Sequence, residues 1–187
     1  MKEELERCGW CLSSDLYKTY HDEEWGVPVY DDQKLFEFLI LETFQAGLSW
    51  ITILKKRENF RAAFDNFDYT KVADYTEEKI QELLQDAGII RNQLKIRAAV
   101  SNAVAYMKVQ EEFGSFSKYI WAFTGGKPIN NNRQSLNEVP ATSPLSDEIS
   151  KNLKKRGFKF VGSTVIYAHM QATGMINDHV EDCWRKI

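Results

Sequence analysis

Apolar residues recur at three- and four-residue spacing along most of the chain, and no segment alternates apolar with polar residues long enough to make a substantial strand. The fold is therefore expected to be all-α. In "DDQKLFEFLILETFQAG" the residues Leu35, Phe36, Leu39, Ile40 and Thr43 share one side, acids open the stretch, and Gly47 lies past its end. "LSWITILKKRENFRAAF" continues with Trp50, Ile53, Leu54 and Phe64 as its buried side. "TEEKIQELLQDAG" starts with Thr76 as a cap and two acids that suit the helix dipole, and it stops at Gly88. A long helix follows, "RNQLKIRAAVSNAVAYMKVQEEFG", and Ser115 caps a short one. Residues 124–142 form a loop rich in Gly, Asn and Pro. Ser143-Pro144 then opens a helix ending at Gly157, and "GSTVIYAHMQATG" is the last one.

The 187 residues suffice for one domain spanning 1–187, built as two small helical lobes sharing a core. No apolar run approaches the about 20 residues of a membrane span, and the start does not resemble a signal peptide, so a cytoplasmic monomer without membrane contact is expected. A net charge of −3 argues against a protein held on nucleic acid by bulk charge alone. Basic residues nevertheless gather in "KKRENFR" (55–61), "RNQLKIR" (91–97) and "KNLKKRGFKF" (151–160), where a local face can still meet phosphates.

Three groups of residues suggest chemistry. The chain has only three Cys and three His, yet Cys8, Cys11 and His21 stand near one end and His179 and Cys183 near the other. His179 and Cys183, four apart, would face the same way on a helical turn. Cys8 and His21 could complete four tetrahedral zinc ligands, with Cys11 as a rival to Cys8. The alternative is that each is an isolated buried residue, as free Cys commonly is; His169, mid-helix, reads as a packed histidine. The turn at Gly88, followed by apolar and basic residues, could offer backbone N–H groups to a phosphate, or could simply join two helices. "KKRGFKFVGST" has a similar turn with basic flanks. Finally, Trp10, Tyr17, Tyr20, Trp25 and Trp50 accompany Glu42 and Gln45, a set suited to stacking on a flat heterocycle and reading its edge. Glu42 could equally be a surface acid.

The stretches "RCGWC", "YHDEEWGVP", "LETFQAGLSWITILKKRENFRAAF", "DAGIIRNQLKI", "LKKRGFKFVG" and "INDHVEDC" together closely resemble the bacterial 3-methyladenine DNA glycosylase I family, from about Arg7 to Cys183. The resemblance implies an all-helical, two-lobed helix-hairpin-helix glycosylase fold with the lesion pocket between the lobes. It implies one structural zinc on Cys8, His21, His179 and Cys183, joining the two ends of the chain. Glu42 and Tyr20 would read the edge of the base and Trp50 would stack on its face, with Trp10 and Tyr17 as further wall. Leu48 would enter the gap left by the extruded nucleotide, flanked by Gln45, Gly47 and Ser49. Gly88, Arg91 and Lys159 would meet the DNA backbone. Phe44, next to Gln45, departs from the family pattern, as does the extra thiol of Cys11.

The implied activity is a monofunctional DNA N-glycosylase that flips 3-methyladenine out of alkylated double-stranded DNA and hydrolyses its glycosidic bond, releasing the free base and starting base excision repair. Methylation at N3 makes the base a cation that departs neutral, so protonation of the leaving group matters little. A carboxylate and aromatic faces favour that cation over normal adenine. Residues 89–109, after the hairpin, hold no Asp or Glu, and no lysine is plainly placed for a Schiff base, so no lyase step is expected. Two other readings compete. One is a zinc-stabilised protein that binds damaged DNA without releasing a base; the other is a metal-dependent hydrolase in which water replaces one of the four ligands.

Overall fold

The computed structural model describes residues 5–186; the remaining residues of the expected 1–187 span lie outside them. The architecture is helical. In chain order the helices are α1 (Asp15–Glu23), α2 (Asp32–Gln45), α3 (Trp50–Ala63), α4 (Tyr69–Ala73), α5 (Glu77–Gln85), α6 (Gln93–Phe113), α7 (Phe116–Ala122), α8 (Pro144–Lys155) and α9 (Ser163–Ala172). Local chemistry accounts for their ends. Ser14, Asp31, Thr76, Asn92, Ser115 and Ser143 each accept a backbone N–H at their helix starts. Ser143 and Ser146 form a reciprocal capping box, with Pro144 in the first turn.

The expected one-sided burial of α2 needs correcting. Every residue from Leu35 to Phe44 is buried, so α2 is a central helix enclosed by α3, α6, α7 and α9. It therefore carries two acids, Glu37 and Glu42, into the interior. Phe44 points into the core and packs on Phe60, 4.9 Å between ring centroids, so it does not form part of the exposed surface after α2. Its N-terminal end anchors α7, because the Asp32 carboxylate accepts the backbone N–H groups of Phe116 and Ser117, both at 2.8 Å.

Arg57 also departs from the sequence reading, which put it on a basic face. The residue is 6% exposed. It donates to both oxygens of Glu24 (2.8 and 3.0 Å) and to Glu37 (2.7 Å), and it lies over the Phe38 ring. A buried arginine needs such partners, and here they tie α2, α3 and the residue that ends α1 together. Arg97 and Arg156 pair locally with Glu77 and Glu112. The unneutralised basic surface is thus narrower than the sequence suggests.

One short departure from an all-helical chain occurs. Ile129–Asn130 (β1) pairs in parallel with Ile176–Asn177 (β2), attaching the long loop to the C-terminal segment. Two residues are too few to show a period of two in sequence. After α9 the chain reverses at Gly174. Its φ of +69° is left-handed, and a Cβ there would sit 2.4 Å from the backbone of Pro28 and Val27. This close approach brings the chain's last segment alongside the residues that follow α1. Among the described residues no helix is long and apolar enough to cross a membrane.

Candidate active site and metal centre

Cys8, His21, His179 and Cys183 meet in the interior, their ligand atoms all within 4.8 Å of one another. Cys183 Sγ lies 3.4 Å from His21 Nε2 and 3.3 Å from His179 Nδ1, and Cys8 Sγ lies 3.7 Å from His179 Nδ1. Bond lengths typical of a tetrahedral Cys/His zinc site put neighbouring ligand atoms about 3.5 Å apart, so the residues fit such a site. The far nitrogens of both imidazoles are also committed. His21 Nδ1 donates to Asp22 at 2.8 Å, and His179 Nε2 to the carbonyl of Trp25 at 3.1 Å. That leaves His21 Nε2 and His179 Nδ1 as lone-pair atoms facing the centre. Burial opposes ionisation of Asp22, but hydrogen bonds from Arg7, His21 and Trp184 hold its carboxyl down at about 2.

Two details differ from the sequence reading. His179 and Cys183 are not on a helical turn: they lie in an irregular segment closed by the Cys183 N–H donating to the Val180 carbonyl at 2.9 Å. Cys11 is buried, but its thiol donates to the Cys8 carbonyl at 3.1 Å and it stands outside the four-residue group. His169 is a packed histidine, as expected. Burial lowers its pKa to about 4, and its Nε2 contacts the Leu35 carbonyl.

Next to this centre is a cavity of about 390 Å³ lined by Trp10, Tyr17, Tyr20, Trp25, Glu42, Gln45, Trp50, Leu136, Val139, Ala168 and Gln171. All five residues of the sequence-predicted base-reading set are in its wall. Trp25 was named among the aromatics but not assigned to that set, and the last four residues had no sequence signal at all. They come from the 124–142 loop and from α9, far from the rest in the chain. The aromatic wall is built on the metal-ligand group. Trp10 packs edge-on against His21 (5.4 Å) and Trp25 (5.0 Å), and Trp25 edge-on against His179 (4.6 Å). Tyr20 and Trp50 face each other at 5.6 Å, tilted by 50°.

Glu42 is 3% exposed, and its carboxyl accepts no hydrogen bond from any described residue. Burial alone raises its pKa from 4.5 to about 8. The Tyr20 phenol is pushed well above its ordinary value, first by burial and then by the neighbouring charge of Glu42. The indole N–H of Trp50 is buried and has no partner among the described residues. An apolar cavity with an unsatisfied carboxyl in its wall is arranged for a flat ligand that supplies its partner.

Beyond the cavity, α2 runs into an exposed turn, residues 46–49. The Leu48 N–H donates to the Gln45 carbonyl at 2.7 Å, and the Gln45 amide returns a bond to the Leu48 carbonyl at 2.6 Å. Gly47 adopts a left-handed φ of +83°, Leu48 is 38% exposed at the tip, and the Ser49 hydroxyl bonds Thr52. At the α5–α6 turn a Cβ on Gly88 would lie 2.9 Å from the Asp86 carboxylate and 3.2 Å from the Asn59 side chain, so those side chains would have to shift. Its own N–H is already taken by the Asp86 carboxylate at 2.7 Å. Arg91, exposed after this turn, and the start of α6 are what the turn presents to solvent. Lys159 is exposed on the turn after α8, which the buried side chain of Asn102 clamps to α6 through the Lys159 N–H and carbonyl.

The sequence pattern of the family described as methyladenine glycosylase matches residues 10–186. DNA-3-methyladenine glycosylase 1 of Escherichia coli K12 is 52% identical over 179 residues, covering 96% of each chain. A crystal structure of 3-methyladenine DNA glycosylase I superposes with a TM-score of 0.95 at 49% identity, covering 97% of this chain and all of that one. A tyrosine-to-phenylalanine variant of 3-methyladenine DNA glycosylase I, solved in complex with 3-methyladenine, superposes with a TM-score of 0.94 at 36% identity, covering 97% of each chain. With nearly the whole chain matched in both sequence and backbone, this protein belongs to the methyladenine glycosylase family.

Proposed function

We propose that this chain is a monofunctional DNA N-glycosylase that extrudes 3-methyladenine from alkylated duplex DNA and hydrolyses its glycosidic bond. One observation carries the reading: a buried, unpartnered carboxyl, Glu42, in the wall of a cavity otherwise dominated by aromatic rings. An empty cavity of this kind disfavours the ionised form. A ligand that is cationic and bears N–H groups restores it. N3-methylated adenine in DNA has both properties; normal adenine lacks the charge.

The steps follow from the residues. A base in a duplex is out of reach of a cavity, so it must be flipped out, at the lowest cost when it is damaged. Leu48, apolar and projecting from the 46–49 turn, suits the vacated space. Trp50 and the facing aromatic wall stack on the cationic ring, adding cation–π attraction. Glu42 gives its proton to solvent as the cation arrives, accepts from the base edge with Tyr20 beside it, and stabilises the charged base until the glycosidic bond breaks, its electron pair goes to the base, and the base leaves neutral. The α5–α6 pair acts as the hairpin of a helix-hairpin-helix element, with Gly88, Arg91 and Lys159 along the path of the phosphates and the cavity between two helical lobes. One chain supplies every wall of the cavity, which fits action as a monomer.

The metal is zinc in this reading, held by Cys8, His21, His179 and Cys183. Bound there by all four side chains, it would leave no place for water and would supply stability to the two ends of the chain and, through Trp10 and Trp25, to the aromatic wall.

The test is release of free 3-methyladenine from methylated duplex DNA. Wild-type protein releases it, and Glu42→Gln releases it more slowly while duplex affinity changes little. Binding of methylated DNA without any released base would instead indicate a damage-binding protein, and an undiminished rate in Glu42→Gln would remove Glu42 from the reaction.

A further inference from the structure

The side chain of Gln171, on the last turn of α9, lines the same cavity as Glu42 and Trp50, and α9 packs against the helix that carries Glu42. Its Nε2 donates to the Asp178 carboxylate at 2.9 Å. Asp178 is 1% exposed and also accepts from the Tyr167 hydroxyl (2.6 Å), Asn131 (2.7 Å) and Arg133 (3.0 Å). A carboxylate surrounded by four donors can only accept, so the amide of Gln171 cannot be reversed. Its Oε1 accepts from no described residue. The backbone is fixed as well: the Gln171 carbonyl accepts from the N–H of Gly26 at 2.9 Å and that of Gly174 at 3.3 Å. The wall of a largely aromatic cavity thus carries, besides Glu42, a hydrogen-bond acceptor whose polarity is set from behind.

We propose that Gln171 is a specificity-determining residue that accepts a hydrogen bond from an N–H on the edge of the bound base, with Asp178 as the residue that positions it. This rests on the reading of the cavity as a base pocket. Glu42, once ionised, and Gln171 then form a pair of acceptors. An exocyclic amino group has two N–H bonds to offer such a pair, whereas an exocyclic carbonyl would face two oxygens. The cavity selects a 6-amino purine over a 6-oxo purine methylated at the same nitrogen. An unpaired acceptor facing the wrong group is what makes such discrimination large.

The experiment titrates free 3-methyladenine and free 3-methylguanine into wild type, Gln171→Met and Glu42→Gln, following tryptophan fluorescence. Gln171→Met keeps the length of the side chain and leaves Asp178 three donors. It should lose affinity for 3-methyladenine by about tenfold, as expected for one hydrogen bond, and bind 3-methylguanine no worse, so that selectivity falls by about the same factor. A purely structural role would weaken both bases equally. Gln171→Asn, which withdraws the oxygen from the cavity, should give the same pattern and replaces the Met variant if that one does not fold. Unchanged selectivity in both variants, with binding altered in Glu42→Gln, overturns the role of Gln171 and leaves the pocket standing. Wild-type binding in Glu42→Gln as well overturns the pocket itself.

Discussion

The ammonium of Lys95, on α6, donates to the carbonyl of Phe44 at 3.0 Å, and a second bond reaches the Ala46 carbonyl at 2.9 Å. Lys95 is 7% exposed and burial lowers its pKa, so these carbonyls are its compensation for leaving water. They are also the open C-terminal carbonyls of α2, where a cation is favoured by the helix dipole. The bond joins the helix that follows the Gly88 turn to the helix that carries Glu42, at the point where α2 gives way to the 46–49 turn.

Lys95→Met should therefore do more than lower stability. Melting curves should show a loss of about 1 to 3 kcal/mol, from two hydrogen bonds to a charged donor. Release of base from duplex DNA should fall further than affinity for free 3-methyladenine, because the turn bearing Leu48 loses its anchor while the cavity keeps its walls. Equal losses in the two assays would show that Lys95 serves the fold alone.

Glu42 should make stability depend on pH. Its carboxyl titrates near 4.5 in the unfolded chain and near 8 in the fold, so between those values the folded chain holds a proton that the unfolded chain lacks. Stability then falls as pH rises from 4.5 to 8 and levels off above, by a total of about 5 kcal/mol from this group. Glu42→Gln should be more stable than wild type at pH 8.5 and nearly equal to it at pH 4.5, measured by urea unfolding. In wild type, kcat/KM on methylated DNA should rise with pH toward a plateau above about 8, as the free enzyme's Glu42 ionises. Parallel stability profiles for the two proteins would mean that Glu42 does not titrate as its burial requires.

Removing the metal should act on the two ends of the chain first. Purified protein should carry about one zinc, and chelation or Cys183→Ser should lower the melting temperature, expose residues near Trp10 and Trp25 to protease and change tryptophan fluorescence. Loss of base release should track loss of folded protein. Turnover abolished by chelator with the melting curve intact would point instead to a metal that takes part in the reaction.

Leu48→Ala isolates the turn. Leu48 is an exposed tip, so stability should change by no more than about 0.5 kcal/mol. Release from duplex should fall by about tenfold or more, since unstacking costs a few kcal/mol per base step and the leucine fills the gap. Affinity for the free base should not move. Release that is equally impaired from single-stranded DNA would argue against a wedge.

Much of this was legible in the sequence, because much of it is local. Helix starts are chemistry between residues three apart, and Thr76, Ser115 and Ser143 announce theirs. The four metal-ligand candidates could be named because Cys and His are scarce and gather at the two ends; the family resemblance singled out Cys8 over Cys11. What only the tertiary structure decided concerns partners distant in the chain. Glu42 could have been a surface acid; it is a cavity acid because α2 is enclosed on every side. Arg57 read as part of a basic face and is an interior clamp, because Glu24, at the end of α1, and Glu37, on α2, reach it. The turn at Gly88 could offer backbone N–H groups or simply join two helices; that the N–H of Gly88 itself is held by Asp86 depends on the folded turn. Gln171 gave no signal, since its orientation depends on Asp178, and Asp178 on residues of the distant loop. Sequence spacing encodes which side a residue takes on its own helix; it does not encode which other segment will come to meet that side.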